Sequence, residues 1–273
     1  MTQVLKKSNN LQILISTKGK KDLSFLYKMF KNCNLIDYSI LVVDQSESEK
    51  DLSTISEKFD IKYYNIQANG LSNSRNFAIS KSSGDICLLC DDDVVYEKDF
   101  YKIIINSFYQ NDSDVITYYA KNNNSSLFKN YPSVTNHNYK SISYINSFLI
   151  AFKREKIFAN NIKFDPLFGL GAVFETADEY IFLRNILEKN LSIISCPKVI
   201  LTHPTESSGQ DAGIDKNIFA RAAIFYKFYG YLSYVKLIHH IFLLKKKNMI
   251  YFYEIIPKFL VGIKGIKKFK SLK

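Results

Sequence analysis

Short apolar runs alternate with segments of helical periodicity between residues 11 and 90, and this alternation constrains the fold more than any other feature. Strands are predicted at 11–16, 38–44, 61–66 and 85–90, with helices at about 23–30, 52–59 and 71–80 between them. Strands that alternate with helices build a mostly parallel sheet covered on both faces. We therefore predict an α/β protein whose ligands bind beyond the carboxyl ends of the strands.

The rest of the chain is predicted to complete this domain and to add a helical extension. We predict a loop at 121–138, a strand at 143–152, a helix at 175–189, and strands at 191–196 and 199–203. A stretch with Pro204, Gly209 and Gly213 predicts a linker at about 204–216. The predicted domains are therefore 1–210, with halves at about 1–95 and 96–210, and 211–273.

Charge is distributed unevenly along the 273 residues. The net charge is +11, yet residues 212–273 alone carry 13 Lys and Arg against two acidic residues, so the remainder is neutral. Phe and Tyr are interleaved with these lysines, a pattern typical of helices that lie in a membrane interface. The partner predicted for the extension is an anionic membrane surface rather than nucleic acid; the alternative is a helical cap with a solvated lysine face.

Cysteine usage and the amino terminus indicate a cytoplasmic protein. Cys87 and Cys90 have CxxC spacing, but they lie in an apolar strand whose side chains three apart point to opposite faces. We interpret both as small core residues. The first ten residues, MTQVLKKSNN, lack the apolar stretch of a signal peptide, and no run reaches the roughly 18 apolar residues of a membrane span.

Three consecutive carboxylates, Asp91-Asp92-Asp93, follow the predicted strand at 85–90. They repel one another unless a cation or hydrogen-bond donors neutralise them. On extended backbone, positions i and i+2 share a face, so Asp91 and Asp93 can address one site. Such oxygen ligands suit Mg²⁺ or Mn²⁺, typically together with substrate phosphates. The alternative is a solvated turn or a helix N-cap.

Three segments together resemble glycosyltransferase family 2 of the GT-A fold. They are Val42-Val43-Asp44-Gln45-Ser46, the stretch GLSNSRNFAI that begins at Gly70, and GDICLLCDDD that ends at Asp93. Their order and spacing match the family over roughly residues 11–205. The resemblance implies a GT-A, Rossmann-like α/β/α sandwich over 1–210, with a nucleotide-sugar half and an acceptor half.

The resemblance also implies which residues bind the donor nucleotide. Asp44 accepts a hydrogen bond from the base, usually uracil, and Arg75 lies near the base or phosphate. Asp91 lies near the ribose, Asp92 is the ambiguous middle member of the DxD motif, and Thr17 is a backbone contact to the nucleotide.

A metal site and an inverting mechanism follow from the same resemblance. Asp93 is the direct ligand of Mn²⁺ or Mg²⁺, with Asp91 and His203 as further metal ligands. Neutral imidazole suits Mn²⁺. A lone histidine is otherwise a structural residue, which is the alternative for His203. His239 and His240, in the basic extension, are interpreted as interfacial helix residues.

A second acidic cluster includes the predicted general base. Counting back from Arg184, Asp178 matches the family's base, although Ala177 stands where an acidic residue is common, so Glu179 is the alternative. The pattern Thr176-x-x-Glu179 predicts a capping box, which would leave Asp178 to face the site. Gly169-Leu170-Gly171 resembles the family's flexible border of the acceptor pocket.

These features predict an inverting, metal-dependent glycosyltransferase of the bacterial surface-polysaccharide type. Its donor is a nucleotide sugar, which the resemblance implies to be a UDP-sugar, and its acceptor is a hydroxyl of a glycan or a lipid-linked acceptor. We expect it on the inner face of the cell membrane as a peripheral protein. The alternatives are a sugar nucleotidyltransferase, disfavoured by the single glycine after the first strand, and a non-catalytic membrane- or nucleic-acid-binding protein.

Overall fold

The computed structural model describes residues 10–47, 59–204 and 212–273. The predicted helix at 52–59 and the predicted linker at 204–216 therefore lie largely outside the described residues. Contacts between residues group the described chain into two compact units. The first unit comprises 10–47, 59–69, 73–164 and 182–204; the second comprises 70–72, 165–181 and 212–273.

An eight-stranded sheet forms the centre of the first unit. Its strands are β1 (Leu11–Thr17), β2 (Ser39–Asp44), β3 (Ile61–Asn65), β4 (Ile86–Asp91), β5 (Val95–Tyr96), β6 (Val115–Lys121), β7 (Ile150–Lys153) and β8 (Ile193–Thr202). Their order is β3-β2-β1-β4-β7-β6-β8-β5. The pairs β1–β2, β1–β4, β2–β3 and β6–β8 are parallel, and the other three are antiparallel. The predicted mixed α/β fold with a mostly parallel sheet is confirmed.

Burial explains why β1, β2 and β4 have continuous apolar sequences. Every residue of β1 is buried, and in β2 and β4 all but one terminal residue are buried. A strand that is covered on both faces of the sheet is stabilised by apolar side chains on both faces. Cys87 and Cys90 are buried and unpaired, as the core interpretation predicted.

Helices accompany this sheet. They are α1 (Phe25–Met29), α2 (Leu71–Lys81), α3 (Phe100–Gln110), α4 (Arg154–Ala159) and α5 (Asp178–Glu188). The strand predicted at 143–152 was wrong over its first half, since 3₁₀ turns at Ser141–Tyr144 and Ser147–Leu149 precede β7. The two strands predicted on either side of Pro197 are one strand, β8. Because proline cannot donate to a ladder, the pairing with β6 shifts register there instead of ending.

Three helices form most of the second unit and confirm the predicted helical extension. They are α6 (Asp215–Tyr229), α7 (Ser233–Lys246) and α8 (Ile255–Ser271). Ile218, Leu237 and Ile266, one from each helix, share a buried apolar cluster. Helices α6 and α8 approach closely at Gly265, where a Cβ would collide with the carbonyl oxygen of Phe219. Over the described ranges, none of the helices has the length and apolarity needed to cross a bilayer.

Candidate active site

The register of the central strands brings the predicted polar residues to one edge of the sheet. Thr17 at the end of β1 pairs with Asp44 at the end of β2, and Ser16 pairs with Asp91 at the end of β4. These strands are parallel, so their carboxyl ends meet at the same edge. The hydroxyl of Ser74 on α2 donates to Ser16 Oγ over 2.9 Å, which fixes α2 to this edge.

Asp91 forms an ion pair with Arg75, both of them predicted nucleotide contacts. Arg75 Nη2 lies 2.8 Å from Asp91 Oδ1 and 2.6 Å from Ser147 Oγ, and its guanidinium carbon lies 5.5 Å from the centre of the Phe164 ring. The Arg75 side chain is almost fully buried, whereas that of Asp91 is partly exposed. The pair therefore fixes Asp91 on the protein side and leaves part of its carboxylate open.

Asp92, the ambiguous middle member, is held by the loop after β1. It accepts a hydrogen bond from Thr17 Oγ1, and Lys20 Nζ lies 3.3 Å from its other oxygen. Thr17 thus contacts Asp92 through its side chain. Lys20 was not among the predicted site residues, although its place three residues after a strand end was a signal for it.

Asp93 faces His203. The distance from His203 Nε2 to Asp93 Oδ1 is 3.6 Å, and the imidazole is stacked on Phe148 with ring centres 4.5 Å apart. His203 Nδ1 lies 2.7 Å from the carbonyl oxygen of Pro204. A carbonyl only accepts, so Nδ1 carries a proton and donates this bond, and Nε2 is the ring nitrogen that faces Asp93.

That arrangement fits a cation, because the Nε2 atom of an imidazole and a carboxylate oxygen face each other and both atom types are metal ligands. The three predicted metal ligands do not form one cluster, however: Asp91 is paired with Arg75. Across the described ranges, no three His, Cys, Asp or Glu side chains are grouped so as to hold a metal ion. A site of two protein ligands is what Mg²⁺-type sites commonly have when substrate phosphates supply the rest.

Asp44 is fully buried and already accepts several hydrogen bonds. Its Oδ1 accepts from the backbone N–H of Ser46 over 2.9 Å and from the Ser46 hydroxyl over 2.6 Å, and its Oδ2 accepts from Tyr63 OH over 2.9 Å. Neither Ser46 nor Tyr63 was predicted as a site residue. Asp44 therefore organises the end of β2, through two hydrogen bonds to its Oδ1 and one to its Oδ2.

The predicted base, Asp178, lies in the second unit and is buried at the start of α5. The glycine loop predicted to border the acceptor pocket contacts it directly. Gly169 has φ +101°, and a Cβ there would lie 3.0 Å from Asp178 Cγ. The loop is held by bonds from Gly169 N–H to Phe174 O and from Leu71 N–H to Leu170 O, each 2.9 Å.

The predicted capping box is wrong in its register. Helix α5 begins at Asp178, and the N–H of Ile181 bonds to the carbonyl of Ala177, so Ala177 and not Thr176 is the N-cap residue. Ala177 has φ +66°, a left-handed conformation that is strained for alanine. The backbone turn at Ala177 places both Asp178 and Glu179 in the first turn, where the helix dipole favours negative charge.

A cavity of about 50 Å³ lies beside this turn, within the second unit. Thr176, Ala177, Arg221 and His240 are among the residues that line it. Burial lowers the pKa of Arg221, and the nearby Tyr180 and Glu179 oppose that shift. Burial, with Arg221 as a further cause, lowers the pKa of His240 to about 4, so His240 is neutral at pH 7. His239, by contrast, is exposed.

An α/β fold with carboxylates at the ends of β2 and β4 defines the class of GT-A glycosyltransferases, and comparison with known proteins agrees. The profile of Glycosyl transferase family 2 matches residues 13–172. That match covers more than half of the chain, which therefore belongs to glycosyltransferase family 2. No curated protein sequence matches the chain.

Solved structures share the fold at low sequence identity. TarS 1–349 from S. aureus in complex with UDP-GlcNAc is 14% identical, with a TM-score of 0.62, and the alignment covers 96% of this chain and 83% of that one. The longer S. aureus TarS structure has a TM-score of 0.56 at 15% identity, and the alignment covers 80% of this chain but 40% of that one. GalNAc-T7 with UDP, GalNAc and Mn²⁺ is 12% identical, with a TM-score of 0.57, covering 85% of this chain and 51% of that one.

Proposed function

We propose that this glycosyltransferase moves a sugar from a UDP-sugar to a hydroxyl of a glycan or lipid-linked acceptor, with inversion at the anomeric carbon. The observation that carries the proposal is the position of Asp93 opposite the Nε2 atom of His203, at the edge of the sheet where β1, β2 and β4 end. Two solved structures of similar fold contain a uridine nucleotide: TarS 1–349 contains UDP-GlcNAc and GalNAc-T7 contains UDP. This supports a uridine nucleotide as donor.

The donor nucleotide binds at the carboxyl edge of β1, β2 and β4. Asp44 accepts from the base, and Arg75 keeps Asp91 oriented toward the ribose. Thr17 and Lys20 hold Asp92, so the loop after β4 has a fixed shape before the donor arrives. Prior organisation of this kind lowers the entropy lost on binding.

Asp93 and His203 would hold a divalent cation, Mn²⁺ or Mg²⁺, while Asp91 stays paired with Arg75. The bond from His203 Nδ1 to Pro204 O keeps Nε2 available as a ligand, as outer-shell hydrogen bonds commonly do in metal sites. A cation at this position supplies charge stabilisation to the departing nucleoside diphosphate.

Asp178 acts as the general base. It accepts the proton of the acceptor hydroxyl while that oxygen forms a bond to the anomeric carbon, and the bond from this carbon to the diphosphate oxygen breaks. Its carboxylate lies beside the backbone of Gly169, where there is little room for a side chain. Glu179 remains the alternative base, since it lies in the same turn.

The acceptor is proposed to be at the inner surface of the bacterial cell membrane, in surface-polysaccharide assembly, with the C-terminal helices holding the enzyme there. The concentration of the net charge in residues 212–273 supports an anionic surface as partner. It does not favour nucleic acid, because the aromatic and aliphatic residues among the lysines are those of an interfacial helix.

Hydrolysis and transfer assays with a series of nucleotide sugars test the proposal. We expect release of UDP from at least one UDP-sugar, abolished by EDTA and restored by Mn²⁺ or Mg²⁺. Release from a GDP- or CMP-sugar alone would refute the donor assignment. Activity that survives EDTA unchanged would refute the metal assignment while leaving glycosyl transfer intact.

A further inference from the structure

Helix α7 has apolar residues on two opposite faces, only one of which is covered. Leu237, Ile241 and Leu244 are buried in the cluster shared with α6 and α8. On the other side of the helix, Val235 is 65% exposed, Ile238 58% and Phe242 63%. These three are spaced by three and four residues, so they form one continuous stripe.

The segment that follows α7, together with the first half of α8, also exposes large apolar residues. Tyr251, Phe252 and Tyr253 are all more than two-thirds exposed, and Ile256 and Leu260 add a stripe one turn apart on α8. Twelve of the 21 exposed large apolar residues of the described chain lie in 212–273. Large exposed apolar patches on soluble proteins mark sites of interaction with proteins or membranes.

Basic residues lie on the same face of α8 as Ile256 and Leu260. Lys264 and Lys267 follow Ile256 and Leu260 at intervals of four and three residues, and both lysines are exposed. The face opposite is covered: Gly262, Ile266 and Phe269 are buried. One side of α8 is therefore apolar in its first half and cationic in its second half, and its other side packs within the second unit.

We propose that the exposed stripe of α7 and the apolar first half of α8 insert into the headgroup and acyl boundary of an anionic bilayer, while the lysines contact the lipid phosphates. This inference rests on the proposed membrane docking and names the face that performs it. Aliphatic and aromatic side chains next to lysines are the combination that binds interfacially, and each lysine near an anionic surface adds attraction.

A second copy of the chain is the less favoured occupant. Two such faces brought together would place their lysines opposite one another, and like charges across an interface oppose association. An anionic bilayer neutralises the lysines and buries the apolar residues at the same time. The charge complementarity therefore selects lipid.

The absence of tryptophan from the sequence allows a direct test. Phe242→Trp introduces a single reporter in the stripe, and Tyr109→Trp introduces one at an equally exposed position in the first unit. Fluorescence is recorded with vesicles of phosphatidylglycerol and phosphatidylcholine, and with phosphatidylcholine alone. We expect the emission of the Phe242→Trp protein to shift to the blue with anionic vesicles and that of the Tyr109→Trp protein to stay unchanged.

Flotation of variants provides the second readout. A triple variant of the stripe is expected to bind vesicles at least about tenfold more weakly. It combines Val235→Ser, Ile238→Ser and Phe242→Ser. The matched control combines Ile36→Ser, Tyr109→Ser and Phe158→Ser, exposed apolar residues of the first unit, and should bind as the native protein does. Thermal unfolding verifies that each variant is folded.

The outcomes separate this inference from the proposals on which it rests. One possible result is that the native protein and the serine variant float equally and the Phe242→Trp emission stays constant. This result would overturn insertion of this face but leave docking through lysines intact. No flotation of the native protein would overturn both. Dimerisation that the serine variant abolishes, without lipid binding, would replace the bilayer by a second copy. Release of UDP is measured on the same preparations and reports separately on the donor chemistry.

Discussion

The carboxylate of Asp178 lies against the backbone of Gly169, where a Cβ would come within 3.0 Å of Asp178 Cγ. A Cβ contact this short is tight, so the Asp178 side chain would have to move by a few tenths of an ångström to accept it. Gly169 also has φ +101°, which a side chain disfavours. The backbone conformation therefore favours glycine at this position, and a side chain there would displace the neighbouring carboxylate.

Gly169→Ala should lower turnover by displacing Asp178 while UDP binding, measured by calorimetry, stays unchanged. The left-handed backbone adds a loss of about 1–2 kcal/mol in the free energy of unfolding. Gly230→Ala is the matched control, because Gly230 also has positive φ but no atoms near its Cβ position. Equal turnover in the two variants would contradict a positioning role for Gly169.

Asp178→Asn should reduce turnover by about 10²–10⁴-fold and leave donor binding intact, since an amide cannot accept the proton. Glu179→Gln should keep most of the activity. It should lower stability by about 0.5 kcal/mol, through the helix dipole rather than through a capping box. Single-turnover kinetics and urea unfolding measure the two effects. Loss of turnover in Glu179→Gln alone would assign the base to Glu179.

Asp93→Ala and His203→Phe should each remove the Mn²⁺-dependent part of UDP binding. Phenylalanine keeps an aromatic ring against Phe148, so a loss in His203→Phe reports on the imidazole nitrogens rather than on packing. Asp112→Ala, at an exposed carboxylate paired with Lys153, is the control and should bind UDP normally. Titration calorimetry with and without Mn²⁺ measures this, and undiminished metal dependence in Asp93→Ala would exclude Asp93 as a ligand.

Asp44→Ala should weaken UDP binding and also destabilise the fold by at least about 2 kcal/mol. The structural cost arises because the partly buried donors of Ser46 and Tyr63 lose their acceptor. Tyr63→Phe removes one of those donors and should cost about 1 kcal/mol while UDP binding is retained. Unaltered UDP affinity in a folded Asp44→Ala protein would show that another group contacts the base.

Stability should fall as the pH is lowered from about 6.5 toward 4, in part because of His137. Burial lowers the pKa of His137 to about 4, and Thr117 and Ser141 hydrogen-bond to its two ring nitrogens. In this pH range His137 therefore binds a proton in the unfolded state but not in the folded state. The free energy of unfolding falls as a result, by on the order of 2 kcal/mol. His137→Asn should flatten this part of the pH profile of urea unfolding; an unchanged slope would exclude His137 as its source.

The sequence by itself determined the strands β1 to β4, the placement of Asp44 and the Asp91–Asp93 triplet at strand ends, and the charged helical extension. These follow from local signals, because the periodicity of apolar residues records which faces of an element are buried. Prediction from the sequence was wrong at Ser143–Leu149 and at Pro197, where local propensity competes with the strand pairing of the sheet. It also misplaced the start of α5 by reading Thr176 as the cap.

Only the tertiary structure determined which partner each of the three carboxylates Asp91, Asp92 and Asp93 has. The sequence predicted that Asp91 and Asp93 address one site, whereas the fold pairs Asp91 with Arg75, Asp92 with Thr17 and Lys20, and Asp93 with His203. These partners come from α2, from the end of β1 and the loop after it, and from the residue after β8, which are distant along the chain. Which side chains meet across strands depends on strand order and register, and those are fixed by the packing of the whole sheet rather than by any local pattern.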